Sequence, residues 1–380
     1  MPDASTSKSS IDWYNLSMGN LTVAVGLSGG VDSAVAALKL KESGYEVLGL
    51  TMKTWDGRLA IRDEGRSGCY GPGEARDLES AARAAQRLGI PHFAVDVASQ
   101  FSSAVLDYFR CEYLAGRTPN PCVRCNQRVK FGALLRSARA DGIRFDLFAT
   151  GHYARLRRRE ADGRILLQRA ADRRKDQSYF LAGLSQRQLE RMLLPLGELV
   201  KGEVKDLARK AGWRDLADRP ESQNFIENRG YGVLFAPEDD LPGPILDLSG
   251  AVIGEHRGIA HYTVGQRRKT GLGGGRSALY VVRLDARANA VVVGPKRALL
   301  AGSFVATGVR WAADGPPSES GRRFAVQVRY QHRPAQALVK PKAWGRDAEV
   351  VFDEPQAAVA PGQTAVFYDG DAVFGSGTIT

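Results

Sequence analysis

Cysteine is scarce: the chain of 380 residues carries four. So few thiols over such a length cannot form a disulfide framework, and a close pair in a reducing compartment points to catalysis or metal binding instead. Long hydrophobic runs are missing too. No stretch reaches the length of a membrane span, so no membrane partner is expected. Residues 1–19, MPDASTSKSSIDWYNLSMG, lack the apolar centre of a signal peptide, so they read as a disordered tail and the protein as cytoplasmic. A Gly-Lys-Ser/Thr sequence is absent, which excludes a Walker loop, and the first strand is not followed by the three spaced glycines of the dinucleotide fingerprint.

What is present is a globular composition. Apolar residues make up 43% and charged residues 25%, enough to bury more than one core, and the length predicts two or three domains. The net charge of +11 makes a polyanion a reasonable partner. Basic residues cluster at Arg155, Arg157, Arg158 and Arg159, at Arg173, Arg174 and Lys175, and at Arg267, Arg268 and Lys269. Phosphate contacts use such clusters, and ordinary solvated loops carry them as well.

From Leu21 to about Trp213, short β-branched runs alternate with longer helical stretches: LTVAVGL, DSAVAALKLKESG, YEVLGLTM, DLESAARAAQRLG and PHFAVDV. That rhythm predicts a parallel α/β sheet. Phe101, Val105, Leu106, Phe109 and Tyr113 recur at three- and four-residue spacing and predict a helix leading to the cysteine pair. Beyond about Arg219 the chain turns to short alternating segments such as ALYVVRL, AVVVG, RFAVQVRY, AEVVFD and TAVFYDG, which predict a small β-rich domain and then a β-barrel. The expected division is a tail over 1–19, a first domain over 20–218, a small central domain over 219–283 and a C-terminal barrel over 284–380.

The strand VAVGL runs into Ser28-Gly29-Gly30-Val31-Asp32-Ser33 and a helix starts at once. Two glycines let the backbone turn with its N–H groups inward, and the helix N-terminus adds positive partial charge, giving an anion cradle. An ordinary strand–helix turn capped by Ser28 or Asp32 is the plainer alternative. The whole string SGGVDS resembles the PP-loop of ATP pyrophosphatases, which implies binding of the ATP phosphates and adenylation of a substrate oxygen.

The pair Cys122 and Cys125, in RTPNPCVRCN, admits three chemistries. A structural zinc site needs four ligands, and there is no second pair and no nearby His at finger spacing. A redox or persulfide pair needs only the two thiols, one with a lowered pKa, toward which Arg124 and Arg128 would help. Iron–sulfur ligation needs a third cysteine, and Cys69, in the Gly- and Pro-rich SGCYGPGEARD, falls on the same C-terminal sheet edge as SGGVDS and ATGHY. Cys111 reads as a small core or surface residue.

Taken together, SGGVDS, MKTW at Met52, GRTPNPCVRCN, KFG at Lys130, ATGHYAR, KDQSYFL, PLG at Pro195, GQR at Gly265, RY at Arg329 and GQTAVFYDG resemble, in order and over nearly the whole chain, the tRNA-specific 2-thiouridylases of the MnmA/TrmU family. The resemblance implies a PP-loop domain (adenine nucleotide alpha hydrolase-like) with a parallel sheet, a small β-rich central domain that contacts tRNA, and a C-terminal β-barrel. It implies that ATP, with Mg2+, adenylates the 2-oxygen of the wobble uridine of tRNA, and that sulfur then displaces AMP to leave 2-thiouridine. Adenylation is needed because a ring carbonyl oxygen is a poor leaving group, and an anticodon base is single-stranded and can be splayed into a pocket. Carried over by motif, Ser28, Gly29, Gly30, Asp32 and Ser33 would hold the phosphates, with Met52 and Gly151 along the nucleotide. Cys125 would be the main sulfur-handling thiol, with Asn120, Pro121 and Cys122 beside the target base. His152, Lys175, Asp176, Gln177, Arg329, Tyr330 and Gln363 would contact tRNA. The sulfur donor would be a cysteine desulfurase, a persulfide relay protein or free sulfide.

Two departures bear on the chemistry. The family's usual Asp-x-x-Cys has Cys122 in the aspartate position, and the second cysteine of Ser-Gln-x-x-Cys-Phe is missing from Ser222-Gln223-Asn224-Phe225-Ile226. Either Cys122 and Cys125 do both jobs, one carrying a persulfide and the other releasing the sulfide as a disulfide forms, or Cys69, Cys122 and Cys125 hold a 4Fe-4S cluster whose free iron binds a sulfide. The second arrangement is the expectation. Other functions with the same loop are a PP-loop amidoligase, which has no use for the cysteine pair, and a non-catalytic RNA-binding protein stabilised by a metal.

Overall fold

Val23, Ala24 and Val25 are wholly buried, the mark of a strand covered on both faces, and they lie in the middle strand of a five-stranded sheet. The computed structural model describes residues 21–65, 68–219, 224–228, 230–267, 278–312 and 315–380. The expected tail over 1–19, Ser222 and Gln223, and Arg268 and Lys269 of the third basic cluster lie outside the described residues. The chain divides into two compact units: Met1–Phe101 with Cys125–Asn228 and Asp371–Val373, and Ser102–Arg124 with Arg229–Gly370 and Phe374–Thr380.

The strands of the first unit are β1 (Thr22–Gly26), β2 (Glu46–Lys53), β3 (His92–Asp96), β4 (Leu147–Ala149), β5 (Ala154–Arg158), β6 (Ile165–Arg169) and β7 (Met192–Leu193). Five of them pair in the order β3-β2-β1-β4-β7, every neighbour parallel, as the alternating pattern predicts. The helices Val31–Glu42 and Glu74–Leu88 make the first two crossovers. Their inner faces are largely alanine (Ala34, Ala36, Ala37, Ala81, Ala84 and Ala85), and such small side chains allow the close packing seen in this core. Gly89, at φ 62°, ends the second helix in the left-handed conformation that glycine adopts without steric cost. Parallel pairing sets the C-terminal ends of β1, β2 and β4 on one edge of the sheet, where open α/β sheets carry their sites.

One element departs from expectation. Arg155–Arg159, read above as a basic loop or phosphate-contacting cluster, belongs in the main to the hairpin β5–β6. Ala154 and Leu156 are buried while Arg157 and Arg158 are exposed, so the strand alternation is real but only three residues deep. Arg155 pairs with Asp371 at 2.8 Å, Arg173 with the same carboxylate at 2.5 Å, and Arg159 with Asp162 at 2.5 Å. Much of the local positive charge is therefore neutralised within the fold.

In the second unit, β8 (Gly243–Leu246), β9 (Val252–His256), β10 (Tyr280–Asp285) and β11 (Ala290–Gly294) form a small sheet in the order β10-β11-β8-β9 around Ile245, Ile259, Val281, Val291 and Val293. Six longer strands follow: β12 (Leu300–Trp311), β13 (Arg322–Gln327), β14 (Ala335–Lys342), β15 (Asp347–Ala357), β16 (Thr364–Asp369) and β17 (Ala372–Ile379). They run in the order β12-β15-β14-β13-β16-β17, and pairing of β12 with β17 closes the barrel, removing its free edges. Phe324, Val326, Val339, Val350 and Phe367 fill it. The expected helical face of Phe101, Val105, Leu106, Phe109 and Tyr113 is buried throughout, on a backbone that is α-helical over Ala98–Phe101 and Tyr108–Leu114 and widens to π-helical turns over Ser102–Asp107.

Candidate active site

At the C-terminal edge of the parallel sheet a cavity of about 360 Å³ opens in the first unit. Its size falls within the range of small-molecule sites. Ser28, Gly30, Asp32 and Ser33 form its floor, and Met52, Cys69, Gly151, His152 and Gln177 line it with them. All nine are residues that the sequence singled out. Thr54, Glu74, Asp77, Lys130, Lys201 and Arg219 complete the polar wall.

The loop is held from behind. Gly29 sits at φ 74°, and a Cβ there would come within 2.9 Å of the Asp77 carbonyl, so only glycine fits. Its own carbonyl accepts hydrogen bonds from Ser80 Oγ at 2.9 Å and Arg219 Nη1 at 3.2 Å, which turns it away from the cavity. The Ser33 hydroxyl donates to the Gly30 carbonyl at 3.0 Å and accepts the Ser28 amide at 3.1 Å. Gly30, not Ser28 or Asp32, is the N-cap of the helix, and no side chain caps it. The first-turn amides are thus left for an anion.

Asp32, in that first turn, accepts the Tyr153 hydroxyl at 2.7 Å and is approached by Lys201 Nζ at 2.7 Å on both oxygens. Sequence reading missed Lys201. In VKGEVKDLARK it looks like the exposed start of an amphipathic helix, and nothing local ties it to a loop 169 residues away.

His152 shares a hydrogen bond with Thr150 Oγ1 at 2.8 Å. Desolvation in the cavity wall, with the Lys130 cation adding to it, holds its pKa well below the ordinary histidine value, so the ring is neutral at pH 7. Cys69 is exposed on the cavity wall, and desolvation by the atoms packed around it pushes its thiol up; Lys130 opposes the rise, and Asp77 and Glu227 add to it. Gln177 accepts the Tyr153 amide at 2.9 Å, and Asp176 accepts those of Ala170 and Ser178, each at 3.1 Å. The Lys175 amide donates to the Asp172 carbonyl at 3.1 Å.

The remaining thiols lie elsewhere. Cys122 and Cys125 share the short helix Pro121–Cys125, whose start is tied by the Val123 amide bonding Asn120 Oδ1 at 3.1 Å; Cys125 is buried, and neither thiol lines the cavity. Among the described residues no three His, Cys, Asp or Glu side chains gather as metal ligands. The expected 4Fe-4S cluster on Cys69, Cys122 and Cys125 is therefore not supported, because three thiolates must converge on one cluster face and these do not. In the second unit Arg329 bonds the Ala357 carbonyl at 2.9 Å, next to Tyr330, and Gln363 accepts the Ile379 amide at 2.8 Å through its backbone.

Residues 21–227 match the tRNA methyl transferase HUP domain family, 235–295 the tRNA methyl transferase PRC-barrel domain and 301–379 the aminomethyltransferase beta-barrel domain. Three relatives each cover 94% of this chain: the tRNA-specific 2-thiouridylases MnmA of Chloroflexus aggregans (46% identical, 98% of its length), Geobacter metallireducens (45%, 96%) and Endomicrobium trichonymphae (41%, 99%). The chain belongs to the MnmA family. The parallel-sheet domain, small central sheet and closed barrel of this MnmA chain correspond, in that order, to the three matched ranges. Ser28, Asp32 and Ser33 of this MnmA chain line one cavity, and Cys69 is the cysteine in its wall.

Proposed function

We propose that this protein is an ATP-dependent tRNA-uridine 2-sulfurtransferase that converts the wobble uridine of tRNA to 2-thiouridine in the cytoplasm. The observation that carries the reading is the joint lining of one cavity by the loop residues Ser28, Asp32 and Ser33 and by Met52 and Gly151, in a chain of the MnmA family. In the first step the uridine 2-oxygen bonds to the α-phosphorus of ATP, the bond to pyrophosphate breaks with its electron pair, and the N3 proton leaves to solvent. Asp32, with hydroxyls of the loop, is the group that would hold Mg2+ on the phosphates, since that ion takes one or two carboxylates and substrate oxygens.

Sulfur then enters as a persulfide on Cys125. Its terminal sulfur attacks C2 and AMP departs with the former 2-oxygen. Cys122, three residues away on the same helix, attacks Cys125 Sγ; the C2–S bond is retained, N3 regains a proton, and a disulfide remains for an external thiol to reduce. His152, Lys175, Asp176, Gln177, Arg329, Tyr330 and Gln363 are the proposed tRNA contacts, with Asn120 and Pro121 beside the base.

The test is anaerobic thiolation of tRNA with ATP and a persulfide donor, iron-free or iron-reconstituted, reading AMP and 2-thiouridine separately. Iron-free protein is expected to thiolate, Cys125→Ala to make AMP without 2-thiouridine, and Asp32→Ala to make neither while staying folded. No AMP from tRNA and ATP would overturn the reading; thiolation only after iron loading would overturn the persulfide route.

A further inference from the structure

We infer that Lys201 is the cation of the phosphate site, contacting the polyphosphate and stabilising the pyrophosphate as it leaves. This role presupposes the adenylation reaction proposed above. A loop of the form SGGVDS supplies backbone amides and hydroxyls, but no charge to set against a nucleoside triphosphate. It even adds an anion, Asp32, in the first helical turn. Phosphoryl-transfer sites are assembled with a cation at the bridging and terminal oxygens, which Walker loops carry within their own sequence.

The fold supplies that cation from elsewhere. Lys201 is the first residue of the helix Lys201–Lys210, and its amide donates to Asp172 Oδ2 at 3.1 Å, so the root of the side chain is fixed. The stem reaches the cavity over Tyr153, with Nζ 5.8 Å from the ring centre, and ends 2.7 Å from both Asp32 oxygens. Only 12% of the side chain is exposed, and the cavity is what it faces. The other charged groups in the wall are Glu74, Asp77, Lys130 and Arg219; Arg219 is engaged with Asp77 at 2.7 Å and the Gly29 carbonyl.

Without ligand, Lys201 cancels the Asp32 charge that would repel an incoming phosphate. As the bond from the α-phosphorus to pyrophosphate breaks, negative charge grows on the departing oxygens, and an ammonium already oriented beside the loop meets it without solvent reorganisation. A purely structural ion pair would look the same in the ligand-free site, so the test must separate phosphate recognition from stability.

Calorimetry with Mg-pyrophosphate and with AMP as separate probes does so for the parent protein, Lys201→Met and Lys201→Arg. Lys201→Met is expected to lose about tenfold or more in pyrophosphate affinity. AMP affinity should stay within about twofold of the parent, and tRNA-dependent AMP formation should fall by about a hundredfold. Lys201→Arg should restore most of the pyrophosphate affinity, and melting temperatures should match. Equal weakening toward both probes, a loss that tracks melting temperature, or unchanged pyrophosphate binding in Lys201→Met would each overturn the assignment alone. Failure of the parent protein to bind ATP would overturn it together with the adenylation reading.

Discussion

Glu227 Oε2 accepts the Gly73 amide at 2.7 Å, while its Oε1 is buried without a hydrogen-bond partner among the described residues. This bond and two others, the Glu227 amide to the Tyr70 carbonyl at 3.0 Å and the Gly68–Asn224 bridge, bind residues 224–228 to the loop that carries Cys69. The segment in which the family usually places its second cysteine is thus the support of the loop that holds this chain's cavity thiol.

A pH dependence follows from that carboxylate. Burial raises the Glu227 pKa above its ordinary 4.5, opposed by the Gly73 bond and Arg76, reinforced by Asp77. The folded state therefore keeps a proton the unfolded state has lost, and stability falls as pH rises from 4.5 through the raised value. Glu227→Gln removes the fall. Chemical melts of the two proteins should converge at acid pH and separate toward neutrality, with the variant the more stable; parallel curves would contradict this.

Gly151 sets the spacing between the ATGHY loop and the phosphate loop. A Cβ on Gly151 would lie 2.7 Å from the Asp32 carbonyl carbon and 2.8 Å from the Ser33 amide, backbone that cannot swing aside. Gly151→Ala should cost about 1–3 kcal/mol in urea melts and weaken ATP binding. Gly202→Ala is the control: that residue has open space around it inside a helix, so the change should stabilise by up to about 1 kcal/mol.

Thiol reactivity reports the electrostatics of the Cys69 wall. Its raised pKa leaves little thiolate at pH 7, so iodoacetamide should label it more slowly than glutathione, with the rate rising steadily with pH and reaching half its maximum only above pH 9.0. Lys130→Ala removes the cation that favours the thiolate and should slow labelling further. Faster labelling in that variant would show that Lys130 shields the thiol instead.

Affinity for tRNA should fall linearly with log salt, as expected for a protein of net charge +11 that neutralises phosphates. The exposed Arg157 and Arg158 should each contribute about one unit of slope when changed to alanine, if they meet phosphate. Arg159, already paired with Asp162, should contribute less. A filter-binding series from low to high salt measures all three.

Much of the architecture was legible because its signals are local. Apolar runs at strand length, alanine-rich helical faces and two glycines before a helix are constraints between near neighbours in the chain, so they specified the parallel sheet, the phosphate loop and the barrel strands without reference to the fold. The face from Phe101 to Tyr113 was legible for the same reason, although its π-helical turns were not. The roles of charged side chains were decided by the tertiary structure. Whether Arg155 meets solvent or Asp371, whether Lys201 ends at a surface or on Asp32, and whether Cys69 meets other thiols or the wall of the cavity all depend on which distant segments close around them. Ion pairing and desolvation act through space over a few ångströms, and only the folded chain brings residues 169 positions apart within that range.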